Sequence, residues 1–306
     1  MKLIKQSFEI LEQKDFSLVG IKKFIERCGR VCYKSENRIT DTSYEKFVNM
    51  LESRGHDRPL EFGTVHLKLT LNALDLFQET VVVSKMFNHQ WIQWDIEEDS
   101  EDNEYYAYMT TNYRYYLALL NEAPWLSKYL DSNDNKFYPK RYTVHFIISR
   151  GIMDEFRTHI GLSHLAESTR YCNYNKDKFG NEITCIIPNY CSDLIEGNSY
   201  DSFICHNYNL TQSEDLSIKS AKWIKLICQA EQNYVGLIND GYTAQEARDV
   251  LPLGVKSELI SCGFEDAWTN FFMRRCAKDA HPMAREIATK VRDEFNELRN
   301  ETKESK

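Results

Sequence analysis

Two apolar periods alternate along this chain, and neither takes over. Val65, Leu67, Leu69 and Leu71 stand at every second position against polar neighbours, the pattern of a strand with one buried face. Tyr142 to Ile148 reads as a second strand, after which Gly151 turns the chain into a helix. From Ile21 to Cys32 and from Ser43 to Arg54 the apolar residues recur instead at three- and four-residue spacing, the stripe of an amphipathic helix. A longer helix is expected from Glu214 to Asn239, capped by Ser213 and stopped by Gly241. Thr243 with Glu246 makes a capping box, so a short helix should open at Ala244 and end near Pro252. A last pair of helices is expected over 265–276 and 282–298, with the tail polar from Asp293 and frayed after Glu301. The charge-dense stretch IEEDSEDNE, 96–104, predicts a solvated loop. Strands interleaved with this many helices predict an α+β or α/β chain. No repeat or long linker divides it, so 1–306 reads as one domain.

The bulk properties exclude several classes of function. With 42% hydrophobic residues in 306, the chain can bury a sizeable core. A net charge of −8 argues against duplex nucleic acid as the main ligand, because a phosphate backbone needs a basic face. It leaves room for a small anion held by a few arginines. The uninterrupted apolar run of roughly eighteen residues that a membrane helix needs is missing. The opening MKLIKQSFEILEQKD breaks its apolar residues with charge, unlike a secretory signal. Nine cysteines are odd in number and scattered; Cys28 and Cys32 lack a second pair or nearby histidines, so they read as buried thiols rather than zinc ligands. A soluble, cytoplasmic protein without a metal is the expectation.

Three places look chemical. Phe264, Trp268, Phe271 and Phe272 share one helical face, and Arg275 continues it. Such an arginine either snorkels to the surface or must meet an anion or a carboxylate. Arg248, in EARDVLPL, stands early in a short helix where backbone donors and a guanidinium hold phosphate well; its alternative is a surface charge paired with Glu246 or Asp249. The densest stretch is 154–183, with Glu155, Arg157, His159, Ser163, His164, Glu167, Ser168, Arg170 and Tyr171. So many polar groups make a poor core element and a plausible ligand-binding segment. No GxSxG elbow accompanies the serine and histidines, and no glycine-rich phosphate loop exists.

At ESTRYCNYNKDKFGNE the chain resembles the flavin-dependent thymidylate synthases. Their signature, Arg-His-Arg followed by a serine and a Ser-x-Arg-Tyr ending, has its ending intact as Ser168, Thr169, Arg170 and Tyr171, with Ser163 and His159 in the earlier places. RCGRVCYKSENRIT (27–40), RGHDRPLEFG (54–63), MTTNYRYY (109–116), ARDVLPL (247–253) and WTNFFMRR (268–275) resemble further family segments in order, so the resemblance covers about 20–290. It implies an α+β fold with a central antiparallel sheet flanked by helices, and a homotetramer with shared active sites. It further implies methylation of deoxyuridylate at C5, with methylenetetrahydrofolate as carbon donor and reduced FAD, recharged by NADPH, as hydride donor. By position, Ser168 and Arg170 would be the catalytic pair. Glu155, Arg248 and Arg275 would join them around the nucleotide, and His56, Arg58, Glu61, His159 and Ser163 would face the flavin.

The departures from the family pattern gather on the flavin side. Thr158 and Ile160 replace the arginines that flank the signature histidine, and Arg157 sits one place early. Arg58 stands for a hydroxyl residue, Phe62 for a second histidine, and Phe264 and Asp266 for an Asn-x-Arg pair. Losing a guanidinium removes a fixed charge and up to five donors. Two other readings therefore accompany the synthase: a related pyrimidine-nucleotide C5-modifying enzyme without normal flavin use, and a non-catalytic nucleotide-binding paralogue. His164 and Cys172 are expected to pack, as are Trp91 and Trp94, whereas Asn112 and Arg114 support the site from behind. Lys176, Asp177 and Lys178 form a solvated turn closed by Gly180.

Overall fold

The computed structural model describes residues 1–83, 89–99, 103–168, 173–174, 181–201 and 216–304. Its strands are β1 (Lys2–Ile4), β2 (Ser7–Leu11), β3 (Thr64–Thr70), β4 (Ile92–Asp99), β5 (Glu104–Asn112), β6 (Leu130–Asp131), β7 (Arg141–Ser149), β8 (Ser163–Ala166), β9 (Thr184–Ile186) and β10 (Lys256–Phe264). The helices are α1 (Leu18–Tyr33), α2 (Ser43–Ser53), α3 (Leu71–Val83), α4 (Tyr113–Glu122), α5 (Arg150–Phe156), α6 (Ile218–Asn239), α7 (Ala244–Ala247), α8 (Glu265–Arg275) and α9 (Pro282–Glu304). The fold is α+β. Two antiparallel four-stranded sheets run β2-β7-β10-β8 and β4-β5-β3-β6, and β1 pairs in parallel with β9.

The first sheet positions the site. Alternation along β7 sends Val144, Phe146 and Ile148 into a core shared with α5, α8 and α9, where Phe156, Trp268, Phe271 and Phe295 are buried. The opposite face packs Ile260 and Cys262 of β10 and Leu165 of β8 against Phe24, Cys28 and Val31 of α1. Val65, Leu67 and Leu69 of β3 face a second core with α2, α3 and α4, and α6 packs over the β1–β9 pair. Gly263 lets β10 pass close to β8; a Cβ there would lie 2.6 Å from Leu162 and 3.0 Å from the Gly161 carbonyl.

The caps explain where helices begin. Ser17 accepts from the Gly20 N–H at the start of α1, Asn112 from Tyr115 at α4, and Thr243 and Glu246 form the expected reciprocal box at α7. Four expectations need correction. The long helix opens at Ile218 with Ser217 as cap, not at Glu214; Ser213 lies outside the described residues. The chain at 96–99 is strand, not loop, because β4 is an edge whose side chains face solvent and tolerate charge. Leu71 opens α3 rather than closing β3, and α9 continues past Leu298 to Glu304. The seven described cysteines are free thiols. Among the described residues, no helix is long and apolar enough to cross a membrane.

Candidate active site

Two polar clusters flank the edge strand β8. In the first, α5 and α8 end beside one another, and the Arg275 guanidinium meets α5 along its whole fork. Nε donates to His159 Nε2 at 2.7 Å, NH1 to the Glu155 carboxylate at 2.9 Å, and NH2 to the Glu155 carbonyl at 2.6 Å and Thr158 Oγ1 at 3.1 Å. The apolar stripe of α8 thus ends on an arginine that meets a carboxylate from its own chain. Accepting from Arg275 requires a neutral His159 with its proton on Nδ1. Burial, reinforced by Arg275 and Arg274, lowers its pKa to about 4. His164 is neutral for a similar reason: burial is the largest cause lowering its pKa to about 4. Its Nδ1 lies 2.9 Å from Ser261 Oγ and its Nε2 is 3.2 Å from the His159 carbonyl.

The second cluster surrounds Glu61, which is 1% exposed. Ser163 Oγ donates to it at 2.6 Å, Arg114 at 2.7 Å and Arg58 at 3.3 Å, while Arg114 also reaches Asp57 at 3.3 Å. Arg114 joins this cluster directly, whereas the Asn112 side chain caps α4 by accepting from the Tyr115 N–H. His56 is exposed and 3.4 Å from Tyr33 Oη. Trp91 packs against the second core, whereas Trp94 is partly exposed and touches Phe77 edge-on.

In a third arrangement, the sequence reading singles out only Glu167, and not Lys256, Glu258, His145 or Lys34. Glu167, just beyond β8, has a side chain with no solvent exposure and bonds Lys256 at 2.8 Å. Lys256 also bonds Glu258 at 2.7 Å, His145 reaches Glu258 at 2.9 Å, and Lys34 pairs with the same Glu258 oxygen that Lys256 uses. Burial alone would lower the pKa of Lys256; Glu167 and Glu258 outweigh it and raise it. Burial would raise that of Glu258; His145, Lys256 and Lys34 outweigh it and hold it well below the carboxylate range. The sequence carries one signal for this network: Lys256 and Glu258 are charges in an otherwise apolar run, KSELISCGF. Beside it opens a cavity of about 750 Å³, lined by Lys34, Asn37, Ile147, Tyr174, Thr184 and Lys256 among others.

Of the residues expected around the nucleotide, Glu155 and Arg275 are in contact, Ser168 borders the third network, and Arg248 stands apart, 4.0 Å from Asp249. No hydrogen bond or ion pair among the described residues joins Arg248 to Arg275 or Glu155. Arg170, Tyr171, Cys172, Lys176, Asp177, Lys178 and Gly180 lie outside the described residues. The residues expected at the flavin do not fit a flavin here. Glu61, His159 and Ser163 are buried, with Ser163 bonded to Glu61 and His159 to Arg275; Ile160 points an exposed apolar chain outward, and Asp266 puts a carboxylate at the α8 start. Only His56 and Arg58 remain accessible, with Arg157 exposed beside Asp154 at 3.5 Å.

Fold and site define an α+β protein with arginines and buried carboxylates gathered at one sheet edge. The chain belongs to the family described as thymidylate synthase complementing protein, whose sequence profile matches residues 137–299, just over half of it. At the level of that family the chemistry is that of a deoxyuridylate methyltransferase, and the family is known as flavin-dependent. Among solved structures, the chain is similar at 12% identity to a UMP/dUMP methylase, PolB from Streptomyces cacaoi, bound with 5-Br UMP. That match covers 97% of this chain and 92% of the other, with a TM-score of 0.43. Comparison with curated proteins finds no match.

Proposed function

We propose that this protein transfers a one-carbon unit to C5 of deoxyuridylate, with methylenetetrahydrofolate as the carbon donor. One observation carries the reading: a single cavity is lined by Lys34 and Asn37 of the family-like segment 27–40 and by Lys256, which follows the segment 247–253 and bonds Glu167, the residue before Ser168. At about 750 Å³ the cavity suits a nucleoside monophosphate. Ser168 and Arg170 would meet the nucleotide from one side with Arg248. Glu155 and Arg275 face elsewhere on the same chain, which supports a homotetramer in which a second copy supplies them.

In the family the hydride comes from reduced FAD, recharged by NADPH. The sequestered Glu61, His159 and Ser163 favour a second reading, in which C5 of the pyrimidine is modified without a flavin reductant, leaving a hydroxymethyl rather than a methyl group. Both readings are separated by one experiment. The purified protein is mixed with FAD, desalted and its visible spectrum recorded, and the products from deoxyuridylate and methylenetetrahydrofolate are then identified. Retained flavin absorbance that NADPH bleaches, with thymidylate formed, establishes the first reading. A colourless protein that turns over folate establishes the second, and nucleotide binding without any turnover removes both.

A further inference from the structure

We propose that Glu167 and Lys256 are positioning residues, which hold Ser168 and the strand following Arg248 in one fixed register. The inference rests on the reading above that Ser168 meets the nucleotide. Three ties converge where β8 ends. The Ser168 N–H donates to the Cys32 carbonyl at 3.3 Å, a free acceptor at the end of α1. The Glu167 N–H donates to the Glu258 carbonyl at 2.8 Å, and its carboxylate bonds the Lys256 ammonium at 2.8 Å. Lys256 is the first residue of β10, so one ammonium joins the end of β8 to the strand entered from Arg248. Glu258 passes the tie on to Lys34 at the α1 C-cap and to His145 on β7.

Stability alone does not account for this network. A buried ion pair is commonly no more stable than apolar side chains of the same volume. Glu167 Oε1 is buried without a hydrogen-bond partner among the described residues, which adds a further cost. Such costs are retained where a geometry is needed. The geometry held here is that of the residue next to Ser168.

The test uses the full-length protein. Glu167→Gln keeps the shape and removes the charge. The dissociation constant for deoxyuridylate should rise about tenfold, the worth of one charge-assisted hydrogen bond, with the thermal midpoint within about 3 °C of wild type. Amide hydrogen exchange over 163–168 should quicken about tenfold or more while β7 is unchanged. Lys256→Arg, which keeps charge and donors, should retain wild-type affinity, and Lys256→Gln should lose it. Should Glu167→Gln fail to fold, Glu167→Asp, which withdraws the carboxylate from Lys256, carries the same measurements. Unchanged exchange over 163–168 overturns the proposal whatever the ligand does, and so does faster exchange with unchanged affinity. If the wild type binds no deoxyuridylate while exchange still quickens in the variant, the tie stands and the functional reading falls instead.

Discussion

At the scale of single residues, Glu155 has most to say. Its carboxylate occupies Arg275 at 2.9 Å. A phosphate reaching Arg275 must displace it or accept its repulsion. Glu155→Gln should therefore tighten deoxyuridylate binding about tenfold, the equivalent of about 1.4 kcal/mol, as measured by titration calorimetry. Arg275→Ala should weaken it by at least about tenfold, since a guanidinium on phosphate is worth about 1.5–3 kcal/mol. An unchanged constant in both variants would take Arg275 out of the site. The sequence marks Arg275 as an arginine in need of an anion, but its partner lies 120 positions away and only the packing of α5 against α8 reveals it.

Elements show where sequence periodicity carries and where it fails. β3 and β7 are legible because each has one apolar face. β10 is not: from Ser257 to Phe264 every residue is buried, and a strand covered on both sides loses its alternation. The candidate site follows the same division. Ser163, His159 and Glu61 are visible as a motif, yet the pairing of Ser163 with Glu61 and of His159 with Arg275 depends on packing between distant segments, which no local pattern encodes. The close passage of β10 and β8 has a measurable consequence. Gly263→Ala would drive a Cβ to 3.0 Å from the Gly161 carbonyl, and overpacking of that kind costs about 1–3 kcal/mol. The denaturation midpoint should drop accordingly, and an unchanged midpoint would mean that the two strands separate freely.

Across the whole molecule, the buried His66 and His159 and the half-buried His164 set the response to acid. His66 lies stacked between Phe16 and Tyr138 at 4.1 and 4.0 Å, and burial lowers its pKa to about 4, as it does for His159 and His164. A depressed pKa means that the unfolded chain binds the proton first. Stability is therefore whole above the ordinary histidine pKa of 6.5 and is lost as pH falls towards 4. Each histidine contributes at most about 1.4 kcal/mol per pH unit within that window. Below the ordinary glutamate pKa of 4.5 Glu258, whose folded pKa is also depressed, adds loss in the same direction. Thermal midpoints recorded from pH 7 to pH 5 should fall steadily, and His66→Gln should flatten the slope; a flat profile in the parent protein would show that these rings are solvated. His66 sits on the second sheet and the other two at the first, so both sheets soften together.

The carboxylate of Glu258 serves Lys34, His145 and Lys256 at once, and through Lys256 it serves Glu167. Helix α1 and strands β7, β8 and β10 thus share one account of charge. A drift at Glu258 leaves the Lys34 and Lys256 ammonium groups without the carboxylate they share, and a drift at any of the other positions unbalances it. Descendants of this chain should inherit them as a block, changing all or none, while the arginines and hydroxyls beside them vary one at a time.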